Sequence, residues 1–123
     1  MAFNWPDYIT LAKRLNTSSS TECEVRSATS RAYYGAFCFC RNKKGLNTDR
    51  SHDIHNKIIT TYKESDNQCE YTIGNTLATL RKKRNDADYD GLCKHTWQQT
   101  NIDIKNAESI INLWARIDAE DCD

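Results

Sequence analysis

The stretch from Thr21 to Gly45 constrains this chain most, because it predicts one long helix that is apolar around much of its circumference. Thr21 and Glu24 have the spacing of a capping box, which favours a helix start, and Gly45 is a natural C-cap. The apolar and small residues form two neighbouring stripes: Val25, Ala28, Ala32, Gly35 and Phe39, and Thr29, Tyr33, Ala36 or Phe37, and Cys40. Such a helix packs on several neighbours, so we expect the helix from about Glu22 to Lys44 to be central.

Four further segments repeat apolar residues at helical spacing. They run from a cap at Asn4 to Asn16, from a cap at Ser51 to about Ser65, from about Cys69 to Asp86, and from about Thr96 to Ile117. The chain has one Pro and one Val, which argues against a fold of many short strands. We therefore expect an all-α fold, a single antiparallel bundle of about five helices over residues 1–117, with an acidic C-terminal tail over residues 118–123.

The ends of the chain and its six cysteines bear on its location. No apolar run reaches the ~18 residues of a membrane span, and the first residues lack the pattern of a signal peptide. A cytoplasmic protein without a membrane partner is expected, in which the cysteines are free thiols. The spacing of Cys93, His95, His52 and His55 matches no closed zinc site, so neither a metal nor a cofactor is expected.

The charged residues are unevenly distributed, although 17 basic and 17 acidic side chains give a net charge of zero. The tail carries four acids and no base, so the remaining residues carry a net charge of +4. Basic clusters lie around the end of the second helix and at 81–84. A charge run is ordinarily a solvated helix face. Arg84, however, continues the apolar stripe of Leu77 and Leu80, and an arginine there needs a carboxylate, a partner chain or an anionic ligand.

Two stretches together suggest a family. Arg26–Phe37 reads RSATSRAYYGAF and Leu80–Asp90 reads LRKKRNDADYD, and Ser51-His52 opens the helix between them. From Trp5 to Trp114 the chain resembles a small bacterial HEPN domain of the kind found in toxin–antitoxin and antiviral operons. The resemblance implies an all-α bundle that forms a homodimer and acts as a metal-independent endoribonuclease. Two motifs, each an Arg, a polar residue and a His, would meet across the dimer to form one composite site.

The resemblance also assigns residues. Arg84 matches the motif's Arg and Asn85 its polar residue, whereas Tyr89 stands in the His position. A phenol is a poor base at neutral pH, but it can donate a hydrogen bond or a proton. Asp88 could act as the base if burial raised its pKa, and His52 or His55 could reach the site from another helix. The residues expected to bind RNA are Arg81, Lys82, Arg31, Tyr34 and His52.

Other functions remain open at this point. Because Tyr89 replaces the expected His, the chain could be a non-catalytic module that binds RNA or a nucleotide, or a partner subunit. The family also includes toxins silenced by a partner nucleotidyltransferase that modifies a tyrosine near the motif, and Tyr89 would be the acceptor. A helical adaptor without a role in nucleic-acid binding is the remaining interpretation. Sequence alone does not decide which of Tyr33 and Tyr34 faces Arg84.

Overall fold

The computed structural model describes residues 2–122; Met1 and Asp123, the outer ends of the two expected units, lie outside them. The elements are α1 (Asp7–Leu15), α2 (Glu22–Lys43), α3 (Ile54–Lys63), α4 (Gln68–Tyr89) and α5 (Trp97–Asp118). Within residues 2–122 there is no strand, so the expectation of an all-α fold with five helices is confirmed. None of the described helices has the length and apolarity that crossing a bilayer requires.

Helix α2 lies at the centre, as its two apolar stripes predict. It packs against α1, α4 and α5, while α3 packs against α4. The capping box is present: the Glu24 backbone N donates to Thr21 Oγ1 at 3.2 Å, and the Thr21 N donates to Glu24 Oε1 at 2.8 Å. Gly45 adopts a positive φ of 70° just after the helix, a conformation that glycine adopts without a steric penalty.

The core contains two fully buried tyrosines whose hydroxyl groups are satisfied. Tyr62 donates to the Cys40 carbonyl at 2.7 Å, and the Tyr33 hydroxyl lies 2.7 Å from His55 Nδ1. At Gly74, a Cβ atom would lie 2.6 Å from the backbone N of Lys63, so the end of α3 approaches α4 more closely than any side chain would allow. This contact brings the C-terminal end of α3 close to α4. At the other end of α3, His55 packs against Phe37 of α2.

Three helix ends differ from the sequence prediction. Helix α4 continues three residues beyond Asp86, to Tyr89. Helix α3 begins at Ile54, and the Ser51 hydroxyl donates to Asp49 instead of capping it. Asn4 donates to Asp7 Oδ1, whereas the N-cap of α1 is Pro6. At the starts of α1 and α3, a local side-chain hydrogen bond replaces the predicted helix cap.

The expectation that all six cysteines are free thiols is wrong. Cys69 at the start of α4 forms a disulfide with Cys122, while the other four cysteines are free. A partner 53 residues away leaves no trace in the local sequence pattern, which is why the pairing was not predicted. Because disulfides are rare in the cytosol, the bond also removes support from the cytoplasmic location, which stays a prediction.

The acidic segment is attached to the body of the bundle. Its first residue, Asp118, ends α5, and the Asp121 carbonyl accepts hydrogen bonds from Arg116 Nε at 3.1 Å and Nη2 at 2.9 Å. The disulfide holds Cys122 at the first turn of α4. Arg84 lies fifteen residues further along that helix, ~22 Å at 1.5 Å per residue. Cys122, the last described residue of the segment, therefore lies towards the opposite end of α4 from Arg84.

Candidate functional site

Arg84 is the centre of the site. Its side chain is 11% exposed. Nη2 donates to the Tyr34 hydroxyl, Nη1 donates to Asn85 Oδ1, and Nε lies 3.3 Å from Asp88 Oδ2, although it is not aligned for a hydrogen bond. Burial opposes the charge of Arg84, but the hydrogen bond to Tyr34 and the nearby Asp88 outweigh it and raise the arginine pKa further. Arg84 therefore faces inward, as the apolar stripe predicts, and its charge is held in a partly buried polar cluster.

Aromatic rings surround this guanidinium. Its central carbon lies 4.8 Å from the ring centroid of Tyr34, 5.8 Å from that of Tyr33 and 5.7 Å from that of Tyr89. Tyr33 fills the core, and Tyr34 is the one whose hydroxyl meets Arg84. Tyr89 is 78% exposed, so its phenol lies at the open side of the cluster. All three distances are within the ~6 Å at which a guanidinium and an aromatic ring attract each other through a cation–π interaction.

Asp88 acts as the counter-ion of Arg84. Its Oδ2 also accepts a hydrogen bond from the Ser30 hydroxyl at 3.2 Å. The side chain is 29% exposed and paired with the arginine, so the burial that a general-base role for Asp88 requires is absent. The extra turn of α4 explains the pairing, because Arg84 and Asp88 can meet at this spacing only if Asp88 is helical.

The histidine beside the cluster is His55, whereas His52, expected to bind RNA, is exposed in the turn before α3. The imidazole of His55 stacks on Phe37 with a centroid distance of 4.3 Å and meets Tyr34 edge-on. Burial, with the charges of Arg81 and Arg84, lowers its pKa to about 4. The ring is therefore neutral at neutral pH. Its spacing from Ile58 and Tyr62 is a signal that could have placed it on the inner face of α3.

The other residues expected to bind RNA are not all brought together. Arg81 is half-buried, and its charge acts on both Tyr33 and His55. Lys82 is exposed and lies 3.6 Å from Asp86 in an ion pair along the helix. Arg31 is exposed, with its guanidinium 4.9 Å from the Tyr8 ring, and it lines a separate cavity of about 450 Å³ that Asp88 also borders.

Arg26 is the residue that sequence reasoning missed. Its Nη1 donates to the carbonyls of Asp86, Ala87 and Asp90 at 3.2, 3.0 and 2.9 Å, and its Nη2 donates to the Cys93 carbonyl. These carbonyls belong to the last turn of α4 and the loop after it, where helical partners run out. The one signal in the sequence is Glu22, four residues earlier, whose Oε2 accepts a hydrogen bond from Arg26 Nε at 2.9 Å. That spacing predicts an ion pair along the helix but not the capping of α4.

Among residues 2–122, no group of three or more His, Cys, Asp or Glu side chains is arranged to hold a metal ion. The chain matches no protein-family model, no curated protein and no solved structure. The fold and site define a small all-α bundle with a cationic and aromatic cluster at one end of α4.

Proposed function

We propose that this chain is a HEPN-type, metal-independent endoribonuclease, a toxin or antiviral defence effector that works as a homodimer. The observation that carries the proposal is the Arg84 guanidinium, held among tyrosine rings beside a neutral imidazole. Cleavage of a phosphodiester without a metal ion is helped by a planar cation that binds the phosphoryl oxygens. It also requires an acceptor for the proton of the neighbouring 2′-hydroxyl. The resemblance of Arg84, Asn85 and Tyr89 to the HEPN motif is a second support for the proposal.

Arg84 would stabilise the charge that builds on the phosphoryl oxygens. Its Nη2 and Nη1 donate to Tyr34 and Asn85, with Asp88 as the counter-ion. A bound phosphate would take over from Asp88, an exchange of one anion for another that leaves the arginine in place. Because the guanidinium is already oriented and partly desolvated, little reorganisation is required as the transition-state charge develops.

His55 would accept the proton of the attacking 2′-hydroxyl. The contact between His55 Nδ1 and the Tyr33 hydroxyl fits either tautomer. The proposed step uses the one in which Nδ1–H donates to the Tyr33 oxygen, because Nε2 then carries a free lone pair. The 2′-oxygen then bonds to phosphorus, the bond to the 5′-oxygen breaks, and a proton is returned to that oxygen. The products are a 2′,3′-cyclic phosphate and a 5′-hydroxyl. Tyr89, exposed beside Arg84, is placed to donate a hydrogen bond to the phosphate.

A non-catalytic RNA-binding module is the second candidate, and one observation favours it. The residue in the motif's His position is a phenol that projects into solvent. A phenol is a poorer base at neutral pH than the imidazole that it replaces in the motif. Under this alternative the same arginine and tyrosines hold RNA without cleaving it.

The experiment compares purified variants on total RNA in EDTA. Arg84→Lys keeps the charge but loses the planar fork, and His55→Gln keeps a polar side chain but loses the proton acceptor. Exposed Arg14→Gln on α1 is the matched control. We expect cleavage by the wild type and Arg14→Gln, with losses on the order of 10²-fold or more in the other two. Binding without cleavage would favour the non-catalytic module, and no salt-dependent binding would exclude both.

The partners in this proposal are a second copy of the chain and, in its operon, an antitoxin or nucleotidyltransferase. Exposed Tyr89 lies beside Arg84, and exposed Leu92 follows it three residues later, and a second copy would cover both side chains. Light scattering would give the oligomeric state, with a monomer at cellular concentration contradicting the composite site. Intact mass after co-expression with the neighbouring operon protein would show whether Tyr89 is modified, and Tyr89→Phe is the control.

A further inference from the structure

Three aromatic side chains form a cluster on the surface where the chain enters α1. The ring centroids of Phe3, Trp5 and Tyr8 lie between 4.9 and 5.5 Å apart, and Phe3 is 51% exposed. Gly35 of α2 allows this close approach, because a Cβ there would lie 2.8 Å from Ile9 Cγ1 and 3.1 Å from the Trp5 carbonyl oxygen. An exposed apolar cluster of this kind is typical of a surface that contacts another molecule.

Two arginines of α2 lie over this aromatic cluster. The guanidinium carbon of Arg31 is 4.9 Å from the ring centroid of Tyr8, and that of Arg41 is 5.4 Å from the ring centroid of Trp5. Because the two ring centroids are only 5.5 Å apart, both cations border one surface. Within residues 2–122, neither arginine pairs with a carboxylate, and the only hydrogen bond between them is the one that Arg41 donates to Asn42 Oδ1. Each guanidinium therefore has N–H groups available for an anionic partner.

A cavity of about 200 Å³ opens beside the aromatic cluster. Phe3 and Pro6 from the start of the chain line it together with Phe39 from α2, so much of its wall is apolar. Its volume is below the ~300–1,000 Å³ of small-molecule sites, which suits one inserted side chain better than a whole ligand. Lys43 also lines the cavity, but its Nζ is already paired with Asp118 at 3.6 Å.

We infer that this surface binds an acidic segment of another protein. One large apolar side chain of the segment occupies the cavity, and carboxylates on either side of it bind Arg31 and Arg41. A guanidinium whose face covers an aromatic ring keeps the N–H groups at its edge, and these bind a carboxylate in a fork geometry. Tryptophan, tyrosine and arginine are also the residues that most often dominate the binding energy of protein interfaces. The inference goes beyond the proposed function and is independent of it, since it uses neither Arg84 nor His55.

The observations favour a protein segment over RNA. Proteins that bind single-stranded RNA combine a continuous basic groove with aromatic faces on which the bases stack. Here the arginines already cover a face of Tyr8 and a face of Trp5, and the negative charge of Asp118 lies beside the cavity. These features suit two separate carboxylates better than a chain of phosphates.

A second copy of the chain fits this surface less well than an acidic partner does. In a two-fold dimer the same patch of both copies is in contact, so the two arginines of one copy would face those of the other. Such a like-charge contact opposes association, whereas an acidic segment complements the charge of the surface.

The test selects binders from a displayed library of random 12-residue peptides, with counter-selection on the double variant Arg31→Gln/Arg41→Gln. We expect the enriched peptides to carry an excess of acidic residues around a Leu, Phe or Trp. The dissociation constant of an enriched peptide, measured by fluorescence anisotropy, should rise about tenfold in the double variant and about fivefold in Phe3→Ala. Arg14→Gln, which removes an exposed arginine from α1, is the matched control and should leave the affinity unchanged.

The three substituted side chains are exposed or half-buried, so the variants should fold, and thermal denaturation would check this. The inference is overturned if no peptide is enriched, if the enriched peptides show no acidic excess, or if the double variant binds them as tightly as the wild type. A 12-nucleotide uridine RNA that binds in place of acidic peptides, and is released by the double variant, would assign the surface to RNA. Self-association that only the double variant loses would assign it to a second copy, and either result would overturn the inference.

Discussion

Arg26 and Ala87 lie 61 residues apart, yet the guanidinium of Arg26 donates to the Ala87 carbonyl at 3.0 Å. The same nitrogen also donates to the carbonyls of Asp86 and Asp90, so one side chain of α2 caps the C-terminal end of α4. That turn carries Asp88 and Tyr89 and immediately follows Arg84. The geometry of the candidate site therefore depends on a residue that does not contact the guanidinium at its centre.

We expect Arg26→Gln to loosen the end of α4 selectively. A glutamine amide has two N–H donors and a shorter reach, so the carbonyls of Ala87 and Cys93 lose their donor. The carbonyls of Asp86 and Asp90 keep a backbone N–H donor each. The free energy of unfolding should fall by ~1–3 kcal/mol, as measured by urea denaturation. Amide hydrogen exchange at residues 87–90 should accelerate while exchange at Ile73 stays slow. Unchanged exchange at residues 87–90 would contradict the capping role, and Arg14→Gln is the control.

His55 should titrate far below an ordinary histidine. Its folded pKa is about 4, against 6.5 for the unfolded chain, so the unfolded state binds more protons between those values. The stability that His55 contributes is fully present above pH 6.5 and is lost as the pH falls towards 4. NMR of the imidazole Cε1 proton would give the pKa, and a bound oligonucleotide phosphate should raise it. A midpoint near 6.5 in the free protein would show that the ring is neither buried nor beside two arginines.

The sequence predicted those parts of the fold and site that depend on local pattern. The capping box, the stripes of α2 and the position of Arg84 after Leu77 and Leu80 all follow from helical spacing. A stripe shows which face of a helix is inward, so it could identify Arg84 as an inward residue. It could not specify Asp88 as the counter-ion, because the prediction ended α4 at Asp86.

The features that were missed depend on pairings across the chain. Arg26 lies on the central helix, but its acceptors are backbone carbonyls some sixty residues away, and no side-chain pattern marks them. The same holds for Cys69 and Cys122, whose order in the sequence does not specify their partners. The choice between His52 and His55 differs from these, because the spacing of His55 from Ile58 and Tyr62 could have placed it on the inner face of α3.

The Cys69–Cys122 bond should stabilise the protein measurably. It closes a loop of 53 residues, and such a bond typically adds ~2–4 kcal/mol by restricting the unfolded chain. Dithiothreitol should lower the melting temperature of the wild type and leave the double variant Cys69→Ser/Cys122→Ser unchanged. Cys93→Ser, which removes a free thiol, should retain the response. If the melting temperature of the wild type does not change after dithiothreitol has had access to the unfolded chain, the pairing is contradicted.

Asp103 should make the protein less stable as the pH rises. It is 2% exposed on α5, and burial raises its pKa to about 6, despite the charge of Lys83 and a hydrogen bond with Gln99. Since the unfolded value is near 3.8, the folded state binds more protons between the two, and stability is lost as the pH rises through 6. Asp103→Asn removes the buried charge and should raise the free energy of unfolding at pH 8 by ~1–3 kcal/mol, with a smaller gain at pH 5. Urea denaturation at pH 5 and pH 8 checks this, with Asp66→Asn as the exposed control. An equal gain in the free energy of unfolding at the two pH values would contradict the prediction, because it would show that Asp103 does not change its charge between them.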